Sequence, residues 1–406
     1  MAKCFNYLAL CVSAVALLIM VSICIWMCGS HTSVTDAEDL SYLEVDGEYL
    51  RNSAADGELI FVHVLYRHGD RNPVNATPGS EYTDPSYWPE GWGQLTNLGM
   101  HQEYELGRWL RRRYNKFLSN EYNRSEIYVR SSDTDRTIMS AQIVLAAMYP
   151  PRGNQIWKKN LNWQPIPVHT VPANTDYLVA AVIPNCTSYQ NATDRYLASD
   201  EMKEYLNSIQ PIFDKLTLHS GSNISDLYQV TVMRDAWHCE TTHNYTIPEW
   251  ATELYPNNVD IDQAAIKFYS QFTGTKFMSR YASGFLLKDI LDRFSAKTNN
   301  TLDPNRKMWM YSSHDLTIFS FLRSLGLSDN QFIPLAAALL FEVRKRDDEY
   351  YVQISYKTSD KTPEPMQIPG CGTQCLLSKM FEIYDDIIPK KSFDDECELP
   401  EETDQL

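Results

Sequence analysis

The sequence predicts an α/β protein: a central mixed, mostly parallel sheet flanked by helices on both faces, with a smaller, mainly helical second domain. Three observations carry this. The short apolar runs "ELIFVHVLY", "SEIYVRS" and "MWMYSS" each lead to a segment of helical period, the alternation expected of strands joined by crossover helices. The later runs "ALLFEVRK" and "YYVQISYK", joined across Asp347 to Glu349, read as a hairpin and give the sheet an antiparallel edge. Between these groups, residues 151–285 become proline-rich and irregular, then helical.

Taken in order, residues 58–66 form the first strand by their β-branched alternation, and a loop rich in Pro, Gly and Trp follows from Asn72 to about Thr96. Leu106, Trp109, Leu110, Tyr114 and Phe117 then recur at helical spacing. Arg111 to Arg113 read as a solvated face of that helix rather than a basic binding patch, because acids lie nearby. A strand is expected over 125–131 and a helix from Asp135 to Met148, which starts on an aspartate and stops at Pro150 and Pro151. The third strand, 308–313, precedes a helix from about Leu316 to Leu325. The organisation that results is a leader (1–30), a polar linker (31–56), an α/β domain (57–150 and 286–398), a helical domain (151–285) and an acidic tail (399–406).

The chain has 406 residues, 44% of them hydrophobic, and a net charge of −16. That balance argues against nucleic acid and anionic membrane surfaces as partners, though a basic pocket can sit inside an acidic protein. Leu8 to Cys28 is almost uninterrupted apolar sequence. It is longer than the usual core of a signal peptide and long enough for a single membrane span, while "CGS" offers a cleavage site, so both readings stay open. Lys3 before the run and Asp36, Glu38 and Asp39 after it place the bulk of the chain on the lumenal or extracellular side either way: lysosomal, secreted, or held at the cell surface by the anchor.

Seven N-x-S/T sequons agree, at Asn75, Asn123, Asn185, Asn191, Asn223, Asn244 and Asn299. Five of the nine cysteines lie beyond the leader: Cys186, Cys239, Cys371, Cys375 and Cys397. Five is odd, so one is unpaired within the chain. Cys371 and Cys375 read as a local disulfide rather than half a metal site, since no second Cys or His pair completes such a site.

The chemistry gathers where strands end. The first runs into Arg67-His68-Gly69-Asp70-Arg71, the second into Asp133-Thr134-Asp135-Arg136, the third into His314-Asp315. In open α/β sheets ligands bind beyond the carboxyl ends of the strands, where helix N-termini also aim amides at an anion. If the strands are neighbours, three arginines and two histidines converge beside one or two carboxylates, a pocket suited to a phosphoryl group. Taken singly, a histidine at a strand end or an Arg–Asp pair has an ordinary structural explanation. The spacing R-H-G-x-R-x-P together with a second strand ending in "HD" does not.

At these residues the sequence resembles the histidine acid phosphatases, and within them the prostatic and lysosomal type. The resemblance runs from about Glu58 to Cys397 and includes "RHGDRNP", "GQLTNLGM", "YELG", "VRSSDTDRT", "WQPIPVHTVP", "HNYTIPEWAT", "YSSHD" and "PGCGTQC". It implies that His68 is a nucleophile forming a covalent phosphohistidine, that Arg67, Arg71, Arg136 and His314 bind the phosphate, and that Asp315 is the proton donor. The arginines should depress the pKa of His68, and a bound phosphate should raise that of Asp315. No metal and no cofactor is implied.

The resemblance also pairs Cys186 with Cys397 and Cys371 with Cys375. It leaves Cys239 free or intermolecular, because its usual partner is missing from "NQFIPLAAALLF". Trp163 and His169 match dimer-interface positions, so a homodimer is implied. Leu316 stands where a threonine is more usual. Phosphate monoesters are the implied substrates; nucleoside monophosphates, phosphotyrosine and lysophospholipid phosphates all suit an arginine-lined pocket. Three rivals remain: a phytase-type inositol-polyphosphate phosphatase, which usually reads "HDTN"; a cytosolic mutase of the wider superfamily; and a silent binding protein of the same fold. Retention of His68, all three arginines and Asp315 speaks against the last.

Overall fold

The computed structural model describes residues 57–328, 330–358 and 362–398. The leader, the linker and the acidic tail lie outside the described residues. The elements are β1 (Glu58–Arg67), α1 (Asn97–Arg113), β2 (Ile127–Ser131) and α2 (Asp135–Met148). There follow α3 (Thr187–Leu197), α4 (Asp200–Ser208), α5 (Gln210–Ser220), α6 (Leu227–Thr242), α7 (Val259–Ser270) and α8 (Lys276–Ser279). A π turn over Arg280–Gly284 leads into α9 (Phe285–Thr298). Then come β3 (Met308–Ser313), α10 (Asp315–Ser324), β4 (Ala338–Arg346), β5 (Glu349–Lys357), β6 (Glu364–Pro365), β7 (Cys375–Leu376), α11 (Leu377–Ile383) and α12 (Phe393–Cys397).

The strands form one mixed sheet in the order β2-β3-β1-β4-β5-β6, with β7 also on β5. The α/β class is as expected, but the antiparallel share is larger. Parallel pairing is confined to β2–β3 and β3–β1, whereas β1–β4, β4–β5, β5–β6 and β5–β7 are antiparallel. The hairpin is the cause. Its turn at Asp347, where φ is +55°, brings β5 back along β4, and β4 itself runs antiparallel beside β1, so the β4–β5–β6 side is the expected antiparallel edge.

Burial follows the pleat. Val62, Val64 and Tyr66 of β1 pack with Leu106 and Leu110 of α1 and Val144 and Leu145 of α2. Phe61 and Leu65 project to the other face, against Leu287, Ile290 and Phe294 of α9 and Phe321 of α10. A strand covered on both faces has to be apolar throughout, which explains the run before Arg67. A third apolar cluster joins α3 to α8 around Phe213, Trp237 and Met278, away from the sheet. Cys186–Cys397 ties α3 to α12, and Cys371–Cys375 closes a short loop. Cys239 is free and buried, so it is not presented to another chain.

The arginine run on α1 departs from the solvated face expected of it. Arg111 donates to the carbonyls of Leu118 and Ser119, in the loop that follows the helix. Arg113 pairs with Glu342 at 2.7 Å, and Glu342 also accepts from Tyr114 and Arg344. The partner sits on β4, far away in sequence, so α1 alone gave no sign of it.

Candidate active site

The carboxyl ends of β2, β3 and β1 lie side by side, with Ser131 level with Ser312 and Arg67 with Ser313. The chain leaves all three strands in register: His68 donates its amide to the Ser313 carbonyl (3.1 Å) and Ser132 its amide to Ser312 (3.1 Å). Residues 246 positions apart in sequence thereby meet, and the His68 and His314 ring centroids are 5.6 Å apart, edge to face. The convergence expected from three strand ends is present.

The loop after His68 is gripped from behind by the start of α1. Thr96 caps that helix by accepting from the Gly99 amide, and its own amide and hydroxyl both bond Asp70. Gln102 accepts from the Asp70 amide at 2.8 Å. Gly69 and Gly99 are in backbone contact: a Cβ on Gly69 would lie 2.3 Å from the Gly99 carbonyl oxygen, and one on Gly99 would lie 2.1 Å from that of Asp70. This is why "RHGD" and "LTNLG" occur together. His243 completes the grip, 2.8 Å from Asp70 Oδ2.

The arrangement fixes the ring of His68. Its Nδ1 donates to the Gly69 carbonyl at 2.8 Å, so the proton is on Nδ1 and Nε2 carries the lone pair. His68 is only 1% exposed. Its pKa is held well below the usual value, first by burial, then by Arg136, Arg67, His314 and Arg71. The arginines act in the direction expected, but desolvation is the larger cause.

Each arginine has its own holder. Arg67 Nη2 is 2.7 Å from Asp315 Oδ2, and Nη1 bonds the Ile333 carbonyl. Arg71 makes a two-pronged pair with Asp235, Nη1–Oδ2 2.9 Å and Nη2–Oδ1 3.0 Å. Arg136 bonds the Gly93 carbonyl and approaches His314 Nδ1 at 3.2 Å. Because Arg136 only donates, His314 Nδ1 accepts and Nε2–H points to Ser132 Oγ, 2.9 Å away. Burial, then Arg136, keep His314 neutral, with its pKa lowered to about 3. In this arrangement His314 orients Arg136. Burial, then Arg71, also lower the pKa of Arg136, to about 10.

Asp315, at the N-terminus of α10, is the proton-donor candidate and starts out ionised. Burial would raise its pKa, but Arg67, then Arg71, His314 and the Leu316 amide outweigh that and bring it to about 2. Tyr269 Oη is 3.5 Å from the same carboxylate. Leu316 itself is buried and lies outside the cavity lining.

A cavity of about 330 Å³ opens beside Arg67 and Asp315. Helix α6 walls one side with Thr231, Arg234, Asp235 and His238, at the three- and four-residue spacing of one helix face. The other side is apolar, with Ala265, Phe319, Phe332 and Pro334. Sequence reasoning missed Asp235, Ser132, Thr96 and Tyr269. The polar stripe on α6 was readable, but nothing short of the fold shows that it faces β1.

The remaining candidates lie elsewhere. All seven sequon asparagines are exposed. Trp163 is exposed, and its carbonyl accepts from Trp157 Nε1. His169 stacks on Tyr128 with centroids 4.6 Å apart, and its backbone bridges the outer edge of β2. Among the described residues no helix is long and apolar enough to cross a membrane.

Comparison with known proteins agrees with this geometry. The chain is 36% identical over 348 residues to prostatic acid phosphatase of Homo sapiens, covering 84% of this chain and 89% of that one. It is 36% identical over 349 residues to lysosomal acid phosphatase of Xenopus laevis, covering 85% and 80%. The solved phytase of Citrobacter braakii shares the fold, with a TM-score of 0.59 at 16% identity over 84% of this chain and 99% of that chain. Residues 58–357, from the first residue of β1 to the last of β5, match the histidine phosphatase superfamily (branch 2), and the chain belongs to that family.

Proposed function

We propose that the protein is an acid phosphatase that hydrolyses phosphate monoesters through a phosphohistidine at His68. One observation carries the reading: His68 Nδ1 is tied to the Gly69 carbonyl, leaving Nε2 as the nucleophile among Arg67, Arg71 and Arg136. Nε2 attacks phosphorus, the P–O bond to the leaving group breaks, and Asp315 gives its proton to the departing oxygen. Water then attacks phosphorus, the N–P bond breaks, His68 recovers its lone pair, and Asp315 takes the water's proton.

The ion pairs explain how Asp315 becomes an acid. A dianionic ester competes for the Arg67 guanidinium and brings negative charge beside the carboxyl, and both effects raise its pKa into the acidic range. His68 is kept neutral where a free imidazole would be charged, so an acidic medium protonates the donor while sparing the nucleophile. The higher identity to acid phosphatases, against fold-level likeness alone to phytases, favours simple monoesters over inositol polyphosphates.

The setting is lumenal or extracellular, supported by prostatic and lysosomal relatives, by the two disulfides and by the exposure of all seven sequons. A homodimer through the Trp163 and His169 edge and a helical second domain built on the α3–α8 cluster belong to the same reading. The test is hydrolysis of p-nitrophenyl phosphate from about pH 3 to 9 with EDTA present, beside His68→Ala. Activity that peaks below neutrality, ignores EDTA and vanishes in the variant is expected. Activity retained by His68→Ala overturns the mechanism.

A further inference from the structure

We propose that Asp235 sets leaving-group selectivity, disfavouring esters whose leaving group carries a second anionic group. This rests on the phosphatase reading above and adds the residue that decides which monoesters are taken. The two-pronged pair with Arg71 fixes Asp235 at the cavity wall, with the Arg71 side chain 9% exposed and that of Asp235 24%. Asp235 is therefore less covered than the arginine it holds, and it borders the space beyond the transferred phosphate.

Arg71 is shared with the dianionic phosphate once the ester is bound, and the other charges beside the cavity do not offset Asp235 for the leaving group. Arg234, one turn of α6 away from His238, is committed to Asp262 (2.6 Å), and its guanidinium lies 3.7 Å from the centre of the Phe332 ring. His238 is engaged through Nδ1 with Tyr255 Oη, and the pKa of its ring is lowered, chiefly by burial. Arg67, paired with Asp315 before the ester arrives, is then taken by the phosphate, and Tyr269 contributes a hydroxyl. A leaving group in this cavity meets the Asp235 carboxylate and an Asp315 that has taken up its proton, facing an apolar wall of Ala265, Phe319 and Phe332. Between low-dielectric walls a carboxylate repels a second anion more strongly than it would in bulk water. A neutral alkyl or aryl group instead buries apolar surface there.

The experiment compares glycerol phosphate with phosphoglycerate, whose leaving groups differ by a hydroxymethyl in place of a carboxylate. Inositol hexakisphosphate serves as the extreme anion. kcat/KM is measured for wild type, Asp235→Asn and Asp235→Glu, at low and at high salt. In Asp235→Asn the anionic-to-neutral ratio should rise about tenfold, the effect of roughly 1.4 kcal/mol at the transition state, mostly through KM. Asp235→Glu, which keeps the charge, should hold the wild-type ratio. In the wild type the discrimination should narrow as salt rises, a readout that needs no variant to fold. Equal losses on both esters in Asp235→Asn, or a wild-type ratio indifferent to salt, overturn the inference and leave Asp235 as a holder of Arg71. If the wild type hydrolyses none of these esters or p-nitrophenyl phosphate, the phosphatase reading falls and the inference falls with it.

Discussion

Arg67 Nη2 lies 2.7 Å from Asp315 Oδ2, so the proposed phosphate clamp and the proposed proton donor are counter-ions of one another before any substrate arrives. In the proposed mechanism the pair works as an exchange: phosphate takes the guanidinium and the carboxyl left behind takes a proton, so that binding of the substrate and readiness of the acid are one event.

If Asp315 donates the proton, its loss matters in proportion to how badly the leaving oxygen needs one. Asp315→Asn should slow alkyl phosphates by about 100-fold or more, the usual worth of a positioned acid, and aryl phosphates much less. Single-turnover rates on glycerol phosphate and p-nitrophenyl phosphate measure this. Equal losses on both would reject Asp315 as the acid.

The same carboxyl makes ligand-free stability depend on pH. Its folded pKa of about 2 lies below the ordinary 3.8. The stabilisation it provides is therefore complete above about pH 4 and is lost as pH falls through 2. It amounts to about 2 kcal/mol for so shielded a pair. Urea midpoints between pH 5 and 2 should fall more steeply for wild type than for Asp315→Asn. Saturating inorganic phosphate, which lifts the folded pKa toward or above the unfolded one, should flatten the wild-type fall. Parallel slopes with and without Asp315 would dismiss the coupling.

Much of this site was legible because its residues stand at strand ends. β3 and α2 have the bounds read from the sequence, and the meeting of Arg67, His68, Arg136 and His314 needed only that three parallel strands be neighbours. What was illegible depends on elements remote in sequence. Asp235 reaches Arg71 from a helix 164 residues away, and Glu342 neutralises Arg113 across 229 residues. A side chain's partner is set by topology, and no local pattern carries it. The larger antiparallel share has a similar origin: the hairpin at the edge was visible, but its antiparallel pairing with β1 was not.

The contact between Gly69 and Gly99 is backbone against backbone, so neither side can yield by changing a rotamer. Gly99→Ala places a methyl 2.1 Å from the Asp70 carbonyl oxygen and 2.7 Å from its amide nitrogen. The loop carrying His68 and Arg71 must shift, and displacement of about 1 Å at a reacting group costs on the order of 100-fold in rate. Far-UV circular dichroism should be kept while kcat/KM falls by at least that order. An active Gly99→Ala enzyme would show that the loop is not located by this contact.

His63 lies on β1, the strand that leads to the proposed nucleophile, but faces the opposite task. It is 1% exposed, packed among Phe61, Phe294, Trp309 and Tyr311, and neither ring nitrogen has a hydrogen-bond partner among the described residues. Burial first and Arg293 second hold its pKa well below 6.5. The unfolded chain takes up a proton below that pH that the folded one refuses, so stability is complete above about 6.5 and declines as pH falls, by about 1.4 kcal/mol per pH unit. His63→Leu removes this liability. The difference in unfolding free energy between pH 7 and 5 should shrink by about 2 kcal/mol, with kcat within about twofold of wild type because His63 touches neither cavity nor clamp. His68 and His314, also buried and with lowered pKa values, keep their own share of the acid sensitivity. A variant whose stability falls as steeply toward acid as the wild type would show that His63 is protonated in the folded protein after all.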